Sequence, residues 1–167
     1  MRKRRGFWVA GVSCVVMACA VASAQEQAYV WWEGEAYKET NVPEPLKNVP
    51  GNKNAEQQAK LSAGAWMTPH GPAKDGDPLF VKYEVEIPKK ATYNFFVRKF
   101  WKHGPFRWRF DEGEWKECGK DIALMDRTYL EKFWGANWVF LGSVELDAGK
   151  RVFHVEMLDK KGGGCLD

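Results

Sequence analysis

Histidine and cysteine are scarce in this chain, three and four among 167 residues. That scarcity removes most metal and nucleophile chemistry from consideration. His70 lies in a Pro/Gly loop with no second His or Cys at metal-ligand spacing. No H-E-x-x-H, no Ser-His-Asp order and no phosphate-cradling glycine loop occurs. Also missing are an internal repeat, a low-complexity segment and any long stretch of helical periodicity. The one long apolar run, Phe7 to Val21, is too short for a permanent membrane span and is followed by no stop-transfer pattern.

That run follows Arg2, Lys3, Arg4 and Arg5 and leads into Ala22-Ser23-Ala24, the small-x-small cleavage pattern of a secretory signal peptide. Residues 1–24 therefore read as a leader and 25–167 as one mature domain, secreted or periplasmic. Val16-Met17-Ala18-Cys19 offers a competing reading, a lipoprotein lipidated at Cys19, which Met17 fits poorly. The whole chain carries 25 Lys and Arg against 22 Asp and Glu. Four of the basic residues leave with the leader, so the mature net charge is about −1 and a basic footprint for nucleic acid or an anionic membrane is absent. Cys14 and Cys19 leave too. The remaining Cys118 and Cys165, in an oxidising compartment, are candidates for a bridge that spacing alone does not decide.

What the mature chain does contain is alternation. Leu79, Val81, Tyr83, Val85 and Ile87 alternate with Phe80, Lys82, Glu84 and Glu86, the period of a half-buried strand. Tyr93, Phe95 and Val97 alternate with Asn94, Phe96 and Arg98, and Phe106, Trp108 and Phe110 with Arg107 and Arg109. Asp111-Glu112-Gly113-Glu114 predicts a hairpin turn into Trp115. Trp138 to Leu146 predicts another strand, turned by Asp147-Ala148-Gly149-Lys150 into Arg151 to Leu158, where Phe153, Val155 and Met157 share a face. Strands at this spacing predict an all-β sandwich or barrel. Residues 41–58 read as a long polar connection, and 121–133 as a segment with room for a helical turn.

Glu33-Gly34-Glu35, within Tyr29-Val-Trp-Trp-Glu-Gly-Glu-Ala-Tyr37, has a chemistry of its own. On a strand the two carboxylates would project from one face with alpha carbons about 6.6 Å apart. They must then be solvated, repel each other or share a cation, and calcium takes six to eight oxygens at roughly 2.3 to 2.6 Å.

Taken in order, Glu33-Gly34-Glu35, Leu61-Ser-Ala-Gly64-Ala-Trp66, Tyr83-Glu-Val-Glu-Ile-Pro88 with Ala91-Thr-Tyr93 and Val97-Arg98, and Leu141-Gly-Ser-Val-Glu-Leu146 with Ala148-Gly149 form a series. The series resembles the carbohydrate-binding modules of the family 6 and family 35 type. The resemblance implies a jelly-roll β-sandwich of the galactose-binding-like kind, here ending at Asp167 where the family's last strand would begin. It implies a structural Ca2+ held by Glu33, Glu35 and Asp167, with main-chain carbonyls completing the shell. Phe100-Trp-Lys-His-Gly-Pro-Phe-Arg-Trp-Arg-Phe-Asp111 is similar to accessory modules near the N-termini of larger secreted bacterial proteins.

Sugars offer apolar CH faces to aromatic rings and hydroxyls to amides and charges, so the ligand candidates are loop aromatics beside polar groups. These are Trp101 and His103 in the Trp-Lys-His-Gly loop, and Trp134 with Asn137 before the long strand. Trp134 matches a family position; Leu61 stands where the family has another aromatic, and no Asn occurs between Leu158 and Asp167. Trp66, Trp108, Trp115 and Trp138 sit in strand patterns and read as core. The leading expectation is a non-catalytic polysaccharide-binding module that targets an appended catalytic domain to glycan. A structural or protein-docking sandwich that has lost its sugar loops is the alternative. A jelly-roll glycosidase or lyase comes third, because Glu112, Glu114 and Glu117 occupy a turn and a strand end.

Overall fold

The computed structural model describes residues 29–43, 47–48, 55–67, 77–100, 102–131 and 134–159, with the backbone only at 47–48, 131 and 134. Ten strands carry the described fold: β1 Glu39–Thr40, β2 Lys47–Asn48, β3 Trp66–Met67, β4 Phe80–Ile87, β5 Ala91–Phe100, β6 Phe106–Phe110, β7 Lys116–Cys118, β8 Tyr129–Glu131, β9 Trp134–Leu146 and β10 Gly149–Met157. One sheet runs β1-β4-β10-β6-β7, every neighbouring pair antiparallel. A second runs β5-β9-β8, also antiparallel, and β2 pairs with β3 as a separate ribbon. Among the described residues, helical structure is confined to the single turn α1, Ala55–Gln58, and a 3-10 turn at Ser62–Gly64. The long polar connection thus holds a short strand and a helical turn, whereas the described part of 121–133 holds β8 and no helix.

The sequence alternation becomes the burial pattern of an all-β sandwich. Val81, Tyr83, Val85 and Ile87 of β4, Phe106, Trp108 and Phe110 of β6, and Phe153, Val155 and Met157 of β10 are all buried. They form one core with Phe95 and Leu146, and Tyr93, Val97, Leu141 and Val144 of the second sheet pack against it. Aromatic rings occupy its centre. Phe95 lies 4.8 Å from Phe153 and 5.0 Å from Trp108, and Trp32 stacks on Phe95 at 5.7 Å. Edge and tilted contacts of this kind add about 0.5 to 1.5 kcal/mol each beyond the area they bury. A smaller cluster of Leu61, Trp66, Phe100, Leu130 and Ala136 lies beside it.

Two irregularities set which residues face out. Between Phe95 and Phe96 the register shifts, so that Phe95 pairs with Gly142 and Phe96 with Phe140, leaving Leu141 extra. Gly142 takes φ +121, a backbone conformation closed to most side chains, and the bulge switches the inward phase of β9 from Val139 to Val144 and Leu146. The second is the hairpin of β6 and β7. Gly113 N donates to Phe110 O at 3.0 Å, Asp111 sits at φ 48, and its carboxylate accepts from Val152 N at 2.9 Å. Asp tolerates the left-handed region better than most residues, which is why it serves here.

Candidate functional site

Glu33-Gly34-Glu35 is a turn, not a strand. Ala36 N donates to Glu33 O at 3.0 Å, and the first strand begins only at Glu39. The alternation that would carry both carboxylates to one face is therefore replaced by a tight bend, to which the central glycine is suited. Trp31 Nε1 donates to Glu33 Oε1 at 2.8 Å, while Glu33 Oε2 is buried with no hydrogen-bond partner among the described residues. Both carboxylate oxygens of Glu35 are buried as well. The Tyr83 hydroxyl donates to Gly34 O at 2.8 Å, and burial first and the Glu35 charge second push its pKa up. Among the described residues no three His, Cys, Asp or Glu side chains gather as a metal cage. Asp167, the third expected calcium ligand, lies outside the described residues.

The flanking tryptophans join this turn to both sheets. Trp32 enters the core against Tyr83, Phe95 and Phe153. Trp31, 53% exposed, sets its ring 5.4 Å from Trp138 on the other side of the second sheet. That outer face continues from Trp138 and Arg98, which pair across β5 and β9, to Phe96 and Phe140, whose rings lie 5.2 Å apart. Phe96 is 41% and Phe140 44% exposed. Next along the same face, Ser143 donates to Asn94 Oδ1 at 2.8 Å. The face thus offers exposed rings beside an amide and a hydroxyl, while the Arg98 guanidinium donates to the Lys60 and Ala136 carbonyls. Scattered exposed apolar residues are ordinary, and here Phe96 and Phe140 are exposed side by side.

The four expected sugar ligands fare differently. Trp101 lies outside the described residues, and of Trp134 only the backbone, at the start of β9, is described. His103 is half-buried, its ring 5.7 Å from Phe100 and its Nδ1 enclosed without a partner. Asn137 does not face solvent. It is 1% exposed, and its amide donates to the Asp126 carbonyl at 3.1 Å and the Thr128 carbonyl at 3.3 Å. Its register partner across β5 and β9 is Lys99, so the two share the inward face and Asn137 braces the strand leading into β8. Trp66 and Trp108 are buried as expected, whereas Trp115 and Trp138 are half-buried on outer faces. Trp115 packs against the guanidinium groups of Arg107 and Arg109, at 4.4 and 4.5 Å. Cys118 is a buried free thiol, its pKa pushed up to about 11 by burial; Cys165 and His70 lie outside the described residues.

Phe96 was legible in principle. Phe96 stands in the Asn94 and Arg98 phase of β5, where alternation calls for polar residues, and an aromatic in that phase is the signal. Phe140 needed the bulge to be known first. A cleft of about 400 Å3 opens between the β6–β7 hairpin and the β9–β10 turn, lined in part by Asp111, Glu114, Lys116, Asp147 and Arg151. Two of its carboxylates are committed to ion pairs, Asp147 with Lys90 at 2.9 Å and Asp111 with Arg151 at 3.4 Å. Glu112, at the same hairpin, pairs with Arg109 at 3.0 Å. No helix of the described residues is long and apolar enough to cross a membrane. No family model matches the chain, and no curated protein matches it.

Proposed function

We propose that the chain is a non-catalytic carbohydrate-binding module that holds an appended catalytic domain near its polysaccharide outside the cytoplasm, with a structural Ca2+ at Glu33 and Glu35. The observation that carries this reading is the open outer face of β5 and β9. There Phe96, Phe140, Trp138 and Trp31 offer rings for the CH faces of sugars, and Asn94 and Ser143 offer hydrogen-bonding groups for their hydroxyls. The loop aromatics Trp101 and Trp134 remain part of the proposal as a second place for a sugar. His103 and Asn137 lend it less support, since the one is half-buried and the other buried.

The calcium half of the proposal is supported by buried carboxylate oxygens in one turn. A buried carboxylate is expensive unless a cation or hydrogen bonds offset it, and Glu33 Oε2 has no hydrogen-bond partner among the described residues. Such an ion would supply charge neutralisation and a fixed turn, with carbonyls from the chain as further ligands.

A glycan array with the mature chain tests the reading, followed by calorimetry on Phe96→Ala, Phe140→Ala, Trp31→Ala, Trp101→Ala and Trp134→Ala. Loss of binding by about tenfold or more in the first three assigns the sheet face. Loss confined to the last two moves the site to the loops. Absence of any glycan binding favours the protein-docking alternative, for which the same apolar face is the contact surface. Release of reducing ends by the purified chain would overturn the non-catalytic reading.

A further inference from the structure

We propose that the end of the sandwich where β5, β6 and β7 meet holds a site for a small oxyanion, free or carried on a larger ligand, with Lys99 as its buried donor and His103 beside it. The proposal stands independently of the sugar reading.

The starting observation is a lysine in a core position. Phe95 and Val97 point between the sheets, and Lys99 continues their phase at the end of β5. Lys99 is 1% exposed, and its Nζ has no hydrogen-bond partner among the described residues. An enclosed ammonium without an acceptor is among the more expensive things a fold can bury, and Leu or Met would fill the same space without that cost. Departures from the inward-apolar rule of this kind concentrate where a protein has work to do.

The surroundings say what Lys99 would accept. His103 follows it on the β5–β6 loop, held by its N–H donating to Phe100 O at 3.1 Å, and its Nδ1 is likewise enclosed without a partner. Across the interior stands the end of β7, where Cys118 pairs with Phe106. The flanking charges are balanced in pairs, so among the described residues Lys99 is the charge left without an acceptor. Lys102 pairs with Asp121, and Lys120 with Asp159 at 3.6 Å. A metal ion would be repelled from such a place, and a neutral hydroxyl would leave the charge uncompensated. An oxyanion meets both needs, since an ammonium offers three donors to a compact negative group and the imidazole a further one. Burial lowers the pKa of Lys99, and burial together with the Lys99 and Lys120 charges lowers that of His103. A bound anion would reverse both shifts, a readout that a purely structural lysine would not show.

Thermal unfolding of the chain in chloride, acetate, sulfate and phosphate at matched ionic strength tests this. The expected result is a saturable rise in midpoint with sulfate or phosphate. In Lys99→Met the apparent affinity falls about ten- to hundredfold, and in His103→Gln by less. Sulfate also stabilises proteins generally by exclusion from their surface, but that rise does not saturate and persists in Lys99→Met. No saturable rise in the wild type, or the same saturable rise in Lys99→Met, overturns the site. If Lys99→Met fails to fold, 15N-lysine NMR of the wild type decides: a saturable shift of the Lys99 Nζ signal upholds the site, and an unmoved signal sinks it. A sulfated oligosaccharide compared with its desulfated form then separates sources. Tighter binding of the sulfated form, lost in Lys99→Met, assigns the group to a glycan, whereas a response to inorganic anion alone assigns a free ion. A chain that binds no glycan yet keeps the saturable response loses the sugar reading and keeps this site.

Discussion

Two polar side chains sit at inward positions of the second sheet, paired across β5 and β9, and they differ in what completes them. Asn137 is satisfied by the chain, since its amide bridges the carbonyls of Asp126 and Thr128. Replacing it with alanine leaves buried carbonyl capacity unmet, and Asn137→Ala is expected to lose about 1 to 3 kcal/mol of stability in urea unfolding. Lys99 has no such completion within the described chain. A third buried polar residue, His154, belongs to the outer face of the first sheet, under Trp115 at 4.9 Å and Phe80 at 5.6 Å. Burial lowers its pKa, Glu156 and Glu39 oppose that, and Lys82 and Arg109 reinforce it. The folded pKa therefore lies below the unfolded value of about 6.5, and the unfolded chain takes up the proton first. The His154 contribution to stability should be flat above about pH 6.5 and fall as the pH drops below it. His103 contributes in the same direction, so His154→Gln should reduce the slope of unfolding free energy between about pH 7 and pH 5 without abolishing it. An unchanged slope in that variant would show that the imidazole is not the group responsible.

The bulge of β9 tests how much a single backbone conformation matters to an element. A Cβ added at Gly142 would meet nothing within 4 Å, so a substitution there is limited by the φ of +121 and not by crowding. Gly142→Ala is expected to lower stability by about 1 to 3 kcal/mol, with the fold retained by circular dichroism. If the bulge slips to relieve the strain, Phe140 turns inward and the exposed pair with Phe96 is lost, which a fluorescence or NMR probe of the outer face would report. The elements most readable in the sequence were β4 and β6, where burial alternates without a break, and β10, where Phe153, Val155 and Met157 share the inward face. The β6–β7 hairpin was readable for a local reason, Asp and Gly at the turn. Less readable was β9, which starts at Trp134 instead of Trp138 and changes phase midway. Glu33 to Ala36 misled because a period-2 spacing of acids is also what a turn with a central glycine produces. Asn137 and Trp138 were misplaced together, since the register of β9 against β5 decides which of them faces in, and register is a long-range property.

At the scale of the whole molecule, the segment from Trp31 to Glu35 acts as a clasp between the two sheets. Trp31 lies on Trp138 of the second sheet, Trp32 fills the interior between Phe95 and Phe153, and Gly34 O receives the Tyr83 hydroxyl from the first. The clasp carries an electrostatic cost at Glu33, whose Oε2 is buried without a hydrogen-bond partner among the described residues. A cation there would convert that liability into a tie, and its binding free energy would add to folding stability as RT ln(1 + [L]/Kd). Calcium should therefore raise the unfolding midpoint in a saturable way, and a chelator should return it to the metal-free value. Glu33→Gln with Glu35→Gln should abolish the calcium response. Magnesium should do less, because it holds its waters and demands a tighter octahedron than a turn and its carbonyls provide. A calcium response that survives in the double variant places the ion elsewhere, and no response in the wild type leaves the turn as a purely protein-made clasp.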